Sequence, residues 1–193
     1  MKLFQFSLFG LTFILVGCVH YKEYPFPYSK TATIDKRLVG VWKVDINQTD
    51  FPKLFHQNKP ENDEHYIVFK PNKNNTMYTI YGDSVNDPSN PILQAYTSSL
   101  SKVNYLNVSQ GKDSNEFMHY KYIIKNNKLI IYRVNQKVLM EDIKNNTISG
   151  IVSPNSMFPS INEIYIIEKA EIYKKYLLTH DKKLYDIPLY LTQ

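Results

Sequence analysis

The 193 residues suffice for one domain with a sizeable apolar core, and the net charge of +5 is spread along the chain without a long basic run. A nucleic-acid-binding surface needs clustered cations, so this distribution of charge argues against nucleic acid as a partner. Sixteen Tyr and ten Phe against six Gly favour strands, because aromatic side chains fit a pleated, half-buried surface.

The first eighteen residues have the layout of an export signal. A lysine at the second position precedes an apolar stretch over residues 3–16, which is shorter than the about 20 residues that a membrane-spanning helix needs. The stretch runs into Leu15-Val16-Gly17-Cys18, which contains the single cysteine and resembles the lipobox of bacterial lipoproteins. This resemblance implies cleavage before Cys18 and acylation of its side chain, which would anchor the protein in a membrane. An ordinary secretory signal with a chance cysteine and an uncleaved anchor are the alternatives.

The residue after the cysteine bears on location. In the lipoprotein family an aspartate there often marks retention at the inner membrane, and this chain has Val19. The resemblance therefore implies a cell-envelope protein held at the outer membrane. We predict a signal peptide over 1–17, a lipidated N-terminus and tether over 18–35, and a single domain over 36–193. The acylated cysteine would leave no thiol for a disulfide, a metal ligand or a nucleophile.

The sequence of the domain predicts many short strands and one helix. Residues 38–46 alternate between two faces, and Asn126-Asn127 is typical of a type I′ hairpin turn between two strands. Residues 136–144 are compatible with a strand or a helix, whereas 168–179 have the apolar period of an amphipathic helix. Further strands are predicted over 65–70, 76–81, 93–100, 102–109, 116–125, 128–134, 147–152, 161–167 and 189–192. This pattern predicts a mainly β fold, an antiparallel barrel or strongly curved sheet with one C-terminal amphipathic helix.

A short motif opens the first strand of the domain. Gly40-Val41-Trp42, in a small all-β domain that ends with a helix and one more strand, is similar to the Gly-x-Trp of the lipocalin-like (calycin) barrels. The resemblance implies that Gly40 and Trp42 lie at the closed end of a barrel. It also implies an arginine from a late strand packed on the tryptophan, for which Arg133 is the nearest candidate. The layout of the whole domain resembles uncharacterised bacterial envelope lipoproteins as well. The alternative is a plain structural role, a glycine and a core aromatic in a strand.

The sequence contains none of the common motifs that carry catalytic chemistry. The chain has no glycine-rich phosphate loop, no Gly-x-Ser-x-Gly and no His-Glu-x-x-His. Asp63-Glu64-His65, with His56 nearby, has no known metal-ligand spacing and falls in a polar loop. We therefore predict no catalytic residue, no metal site and no cofactor.

These features predict a lipid-anchored cell-envelope protein that acts as a non-catalytic binding or interaction module. Its partners would be the membrane, through the acyl chains on Cys18, and a small apolar ligand or an envelope protein. Two further hypotheses are open: a carrier of a small apolar ligand in the barrel lumen, and an envelope hydrolase whose site is assembled by the fold. A wide cavity under loops 47–64 and 82–92 would favour the carrier, and a filled core with exposed apolar surface would favour a protein partner.

Overall fold

Strands dominate the computed structural model of this chain, which describes residues 19–21, 34–45, 66–82, 93–109, 117–154 and 162–193. Within these ranges the helices are a 3-10 helix (Lys36–Leu38), α1 (Gln136–Lys144) and α2 (Ala170–Leu184). The strands are β1 (Val19–Tyr21), β2 (Gly40–Val44), β3 (Tyr66–Pro71), β4 (Tyr78–Gly82), β5 (Leu93–Leu100), β6 (Val103–Ser109), β7 (Phe117–Lys125), β8 (Lys128–Val134), β9 (Gly150–Pro154), β10 (Asn162–Ile166) and β11 (Tyr185–Thr192).

Strands β2 to β8 and β11 form a closed, eight-stranded antiparallel barrel. Each strand from β2 to β8 pairs with the next, and β11 closes the sheet between β8 and β2. The closing pairs include Leu191 with Val44 on one side and Leu191 with Leu129 on the other. The prediction of a mainly β antiparallel barrel with a C-terminal helix is confirmed, and the closed form is consistent with a lipocalin-like barrel.

Side chains from all eight barrel strands meet in the interior. Because successive residues of a strand point to opposite faces, every second residue of each strand reaches this core. One buried representative per strand, in the order β2 to β8 and then β11, is Trp42, Phe69, Tyr78, Ala95, Leu106, Met118, Leu129 and Leu191. Among the described residues, these apolar and aromatic groups form one core cluster inside the barrel.

The 3-10 helix closes one end of the barrel. Its residue Leu38 is fully buried in the barrel core, and the side chain of Asp35 caps the helix by accepting a hydrogen bond from Arg37 N. The Asp35 backbone carbonyl and carboxylate also accept hydrogen bonds from the hydroxyls of Tyr78 and Tyr122, at 2.8 and 3.0 Å. These bonds connect the 3-10 helix, which we call the 3-10 plug, to β4 and β7.

A second layer lies outside the barrel. Strands β1, β10 and β9 extend the sheet from the edge of β7, with β1 antiparallel to β7 and parallel to β10. A second core cluster joins this extension and the outer wall of the barrel to both α-helices. Its buried members include Val19 from β1, Tyr105 from β6, Leu139 from α1, Ile164 from β10 and Tyr173 from α2.

Several local predictions have outcomes here. Residues 136–144 are a helix, which begins where the Asn135 side chain accepts a hydrogen bond from Val138 N. The Asn126-Asn127 turn is confirmed, since both residues have the positive φ (52° and 56°) that a type I′ turn requires. The stretch predicted as a tether contains β1, which is paired into the sheet, while 22–33 and the whole of loop 47–64 lie outside the described residues.

The final strand begins earlier than the pattern predicted, at Tyr185, and it runs through Pro188. Proline cannot donate to a ladder and is normally excluded from strands with neighbours on both sides. The structure shows why it is tolerated. At Pro188 the strand pairs only with Tyr132 of β8, and the ladder to β2 contains just Leu191 and Thr192.

Candidate functional site

A groove of about 440 Å³ lies on the outer wall of the barrel. One side is the β5–β6 hairpin and the other is the last turns of α2. Its lining combines hydroxyl, charged and apolar groups: Ser101, Val103, Tyr105, Leu178, Thr179, His180, Asp181, Lys182 and Lys183. Such a mixture of convergent polar groups and apolar surface is suited to binding.

Local sequence explains both walls. The hairpin turns through Ser101 and Lys102, whose φ values of 48° and 71° let Leu100 and Val103 pair directly. Helix α2 buries Tyr173 and Leu177 against the barrel, as its apolar period requires. The remaining face of its C-terminal half then stands beside the hairpin and leaves Leu178 45% exposed.

An ion pair connects the groove to the barrel wall. The ammonium of Lys121 on β7 lies 2.5 Å from Oδ2 of Asp181, and both side chains are mostly buried. The ammonium also lies 5.8 Å from the ring centroids of Tyr132 and Tyr185, within the range of a cation–π interaction. The other oxygen of Asp181, Oδ1, is buried and has no hydrogen-bond partner among the described residues.

A buried polar ladder lies behind Tyr105. The ring of Tyr105 stacks on His119 with 4.7 Å between centroids, and His119 Nδ1 lies 2.6 Å from Asn107 Oδ1. The amide nitrogen of Asn107 donates to Ser98 Oγ, so its oxygen faces the imidazole and Nδ1 carries the proton. Burial lowers the pKa of His119 to about 3. Burial, with a smaller effect of the Asp181 charge, raises the pKa of Tyr105. Both side chains are therefore neutral near pH 7.

The end of α2 is held by its own contacts. His180 stacks on Tyr176 at 4.4 Å, and its Nδ1 donates to the Tyr176 carbonyl at 3.0 Å. The Tyr176 hydroxyl donates to Oδ2 of Asp142 on α1, whose Oδ1 lies 3.2 Å from the ammonium of Lys183. Burial raises the pKa of Tyr176, with further contributions from its hydrogen bond to Asp142 and from the charge of that carboxylate. These contacts attach the end of α2 that lines the groove to α1.

Neither of the Gly-x-Trp residues lines the groove, and Trp42 is part of the barrel core. Trp42 is 1% exposed and its indole N–H donates to the Leu38 carbonyl at 2.8 Å, which fastens the 3-10 plug to β2. Gly40 has φ of 133°, a conformation that L side chains rarely adopt, and an added Cβ would lie 3.0 Å from Gln193 Nε2. Both residues therefore have structural roles at the end of the barrel that the 3-10 helix closes.

The register does not bring Arg133 to Trp42. Thr192 pairs with Lys43 on β2 and with Lys128 on β8, so Trp42 is level with the turn that precedes β8. Arg133 lies five residues beyond Lys128, which is roughly 17 Å along a strand. Cys18, the predicted lipid attachment site, lies outside the described residues.

The groove residues were not singled out from the sequence. Lys121 and Asp181 are 60 positions apart, and each looks like an ordinary surface charge until β7 and α2 are packed together. Within the described ranges no group of three or more His, Cys, Asp or Glu side chains is arranged to hold a metal ion. No helix in this part of the chain is long and apolar enough to cross a membrane. Comparisons with protein-family models, curated proteins and solved structures give no match to this chain.

Proposed function

We propose that this protein is a lipid-anchored protein of the cell envelope, held at the outer membrane by Cys18, that binds an envelope protein without catalysis. In this proposal the barrel is a rigid scaffold and the groove beside α2 is the binding surface. The lipobox resemblance supports the anchor, and the geometry of the domain supports the position of the binding surface.

One observation favours the outer surface over the lumen as the binding site. All eight barrel strands send buried side chains into the interior, whereas the groove offers about 440 Å³ of accessible space outside it. A carrier of an apolar ligand needs an apolar cavity of several hundred Å³. The packing of the described side chains in this core cluster therefore favours the interaction module over the carrier.

The chemistry of the groove favours a protein as the partner. Leu178, in the lining of the groove, is 45% exposed. Lys182 and Lys183 lie beside this apolar side chain. Protein interfaces combine an apolar centre with a polar rim in this way.

Site-specific crosslinking in intact cells tests the binding surface. A photo-crosslinking amino acid at Leu178 should capture one defined envelope protein. The same group at Ile123, which is 39% exposed on β7, is the matched control and should not capture it. Equal products from the two positions, or none from Leu178, would contradict the groove as the interface.

Two further measurements separate the alternatives. Native mass spectrometry of protein purified from its host should give the mass of the lipidated chain alone, and a second lipid released only on unfolding would support the carrier instead. Cys18→Ser should abolish acylation and membrane retention. Membrane retention of a cleaved Cys18→Ser chain would refute the anchor.

A further inference from the structure

The described structure begins with a strand at the residue after the predicted acylation site. Val19 is the first residue of β1, is 4% exposed, and is paired with Ile164 of β10. Consecutive Cα atoms are about 3.8 Å apart, so the proposed acylation site is one peptide unit away from Val19 in the chain. An acyl chain on Cys18 would therefore begin at the domain itself, with no flexible linker between them.

The register shows which part of the domain is brought to the membrane by such an anchor. Val19, Ile164 and Val152 lie in line across β1, β10 and β9. Neighbouring strands are about 4.8 Å apart, which puts Val152 about 10 Å from Val19. Strand β9 is the last strand of the sheet at this side.

Edge strands commonly carry charged side chains that prevent association with other strands, but the residues of β9 are uncharged. Strand β9 reads Gly-Ile-Val-Ser-Pro, without a charged residue, and exposes Ile151 (47%) and Val152 (40%) on its two faces. Ile167, which is 51% exposed, lies beside it through the hydrogen bond from its N–H to the Ser149 carbonyl. We call Ile151, Val152 and Ile167 the β9 patch.

A cation lies near the same edge. Gln136, at the start of α1, donates through Nε2 to the Asn162 carbonyl at 3.1 Å, and Asn162 is paired with Pro154 at the end of β9. The next residue of the helix, Lys137, is exposed. The Glu168 carboxylate, which accepts hydrogen bonds from Ser149 N and Oγ, lies at the other end of β9, so charges of both signs flank the apolar side chains of this edge.

We propose that the β9 patch rests in the interface of the membrane that holds the acyl chains, so that the domain lies edge-on against the bilayer in one orientation. This inference rests on the proposed lipid anchor. The short connection through Val19 holds the domain at the membrane surface, and the exposed apolar side chains of the β9 patch are the groups that gain from contact with lipid.

A spin-label experiment tests this orientation in the full-length lipidated protein. Cys18 is the only cysteine and is acylated in this proposal, so a nitroxide can be attached to one introduced thiol, in Val152→Cys or in Ile123→Cys. The two positions have matched exposure, 40% and 39%. The second lies five residues along β7 from the pair between Met118 and His20, roughly 17 Å away along the strand.

The labelled proteins are reconstituted into vesicles of phosphatidylethanolamine and phosphatidylglycerol. We expect lipid-soluble oxygen to relax the Val152 label more than a water-soluble nickel chelate does, and the reverse for the Ile123 label. Ile151→Cys provides a second reporter with the same expectation as Val152→Cys. Nickel accessibility at both β9 positions, in protein that floats with the vesicles, would overturn the orientation while leaving the anchor intact.

Two other outcomes are equally informative. Spin–spin broadening between Val152 labels without oxygen accessibility would show that the edge pairs with a second copy, and would overturn the membrane contact. Protein that carries no acyl group and does not float would refute the anchor and, with it, this inference.

Discussion

Trp42 connects the first barrel strand to the plug that closes the barrel. Its ring is buried in the barrel core, and its single polar group is satisfied by the Leu38 carbonyl. A buried aromatic residue contributes through the large apolar area that it removes from water, and an indole N–H in such a place needs an acceptor. Leu38 and Trp42 are only four residues apart in sequence, but the hydrogen bond between them matters because it holds the 3-10 helix at the closed end of the barrel.

Trp42→Ala should lower the free energy of unfolding by about 3–5 kcal/mol, because it removes the ring and leaves a cavity. Trp42→Phe, which keeps an aromatic ring but loses the bond to Leu38, should lose clearly less. Urea unfolding followed by far-UV circular dichroism measures both. An alanine variant as stable as the parent would contradict the core role of this residue.

His119 is a buried histidine with a strongly lowered pKa. Its imidazole is buried between the outer wall of the barrel and α2, stacked on Tyr105 and in edge contact with Tyr173 at 6.3 Å. Desolvation by burial penalises the charged form and lowers its pKa to about 3. The neutral ring is therefore part of the packing between sheet and helix.

This burial predicts a pH-dependent stability. The unfolded chain binds a proton on His119 below about pH 6.5, and the folded chain does not until about pH 3. The free energy of unfolding should therefore fall as the pH drops through this window, by up to about 1.4 kcal/mol per pH unit from this one group. Urea unfolding at several pH values measures the slope. His119→Gln should reduce that slope between about pH 4.5 and 6.5, and an unchanged slope would contradict the assignment.

At the scale of elements, α2 depends on two kinds of ion pair. Lys121 and Asp181 join β7 to the helix with side chains only 18% and 24% exposed. Lys174 and Glu171 pair along the exposed face of the same helix, where Glu171 is 83% exposed. Water screens the exposed pair of Lys174 and Glu171 more than the mostly buried pair of Lys121 and Asp181. The two pairs should therefore contribute differently to stability.

Asp181→Asn should destabilise the protein by about 1–3 kcal/mol, because Lys121 would keep its charge in a mostly buried place without a carboxylate. Glu171→Gln, in the same helix, should change stability by less than about 0.5 kcal/mol. Thermal unfolding of the two variants side by side tests the difference. Equal and small effects would show that the pair between β7 and α2 is not a stabilising contact.

The whole molecule depends on one late strand. Strand β11 pairs with both β8 and β2, so the last residues of the chain close a barrel that the earlier strands leave open. Leu191 pairs with Val44 across almost the whole domain, and such a distant contact carries a large cost in loop closure. The fold is consequently complete only when the C-terminus is in place.

Deletion of residues 185–193 should prevent closure and expose the apolar interior, giving a chain that aggregates or lacks fixed tertiary packing. Near-UV circular dichroism and size-exclusion chromatography measure the two effects. Deletion of Gln193 alone, which removes one backbone bond from its N–H to the Asn127 carbonyl, is the control and should leave the barrel folded. A folded monomer without residues 185–193 would contradict the closing role of β11.

Prediction from the sequence succeeded where the signal is short in range. Alternation predicted the strand that contains Trp42, and the two asparagines at 126 and 127 predicted their turn from backbone preference alone. Residues 136–144 were ambiguous because a nine-residue segment with three successive apolar residues, at 138–140, fits a strand or a helix. The packing of Leu139 in the second core and the cap on Asn135 decided for the helix.

The sequence by itself determined the fold class, because side-chain alternation, apolar period and turn chemistry are properties of neighbouring residues. Only the tertiary structure decided that the sheet closes, that Arg133 lies far from Trp42, and that Lys121 meets Asp181 beside a groove. Each of these depends on the register between segments that are distant in the chain. A one-residue shift of register turns every side chain to the other face, so no local pattern contains that information.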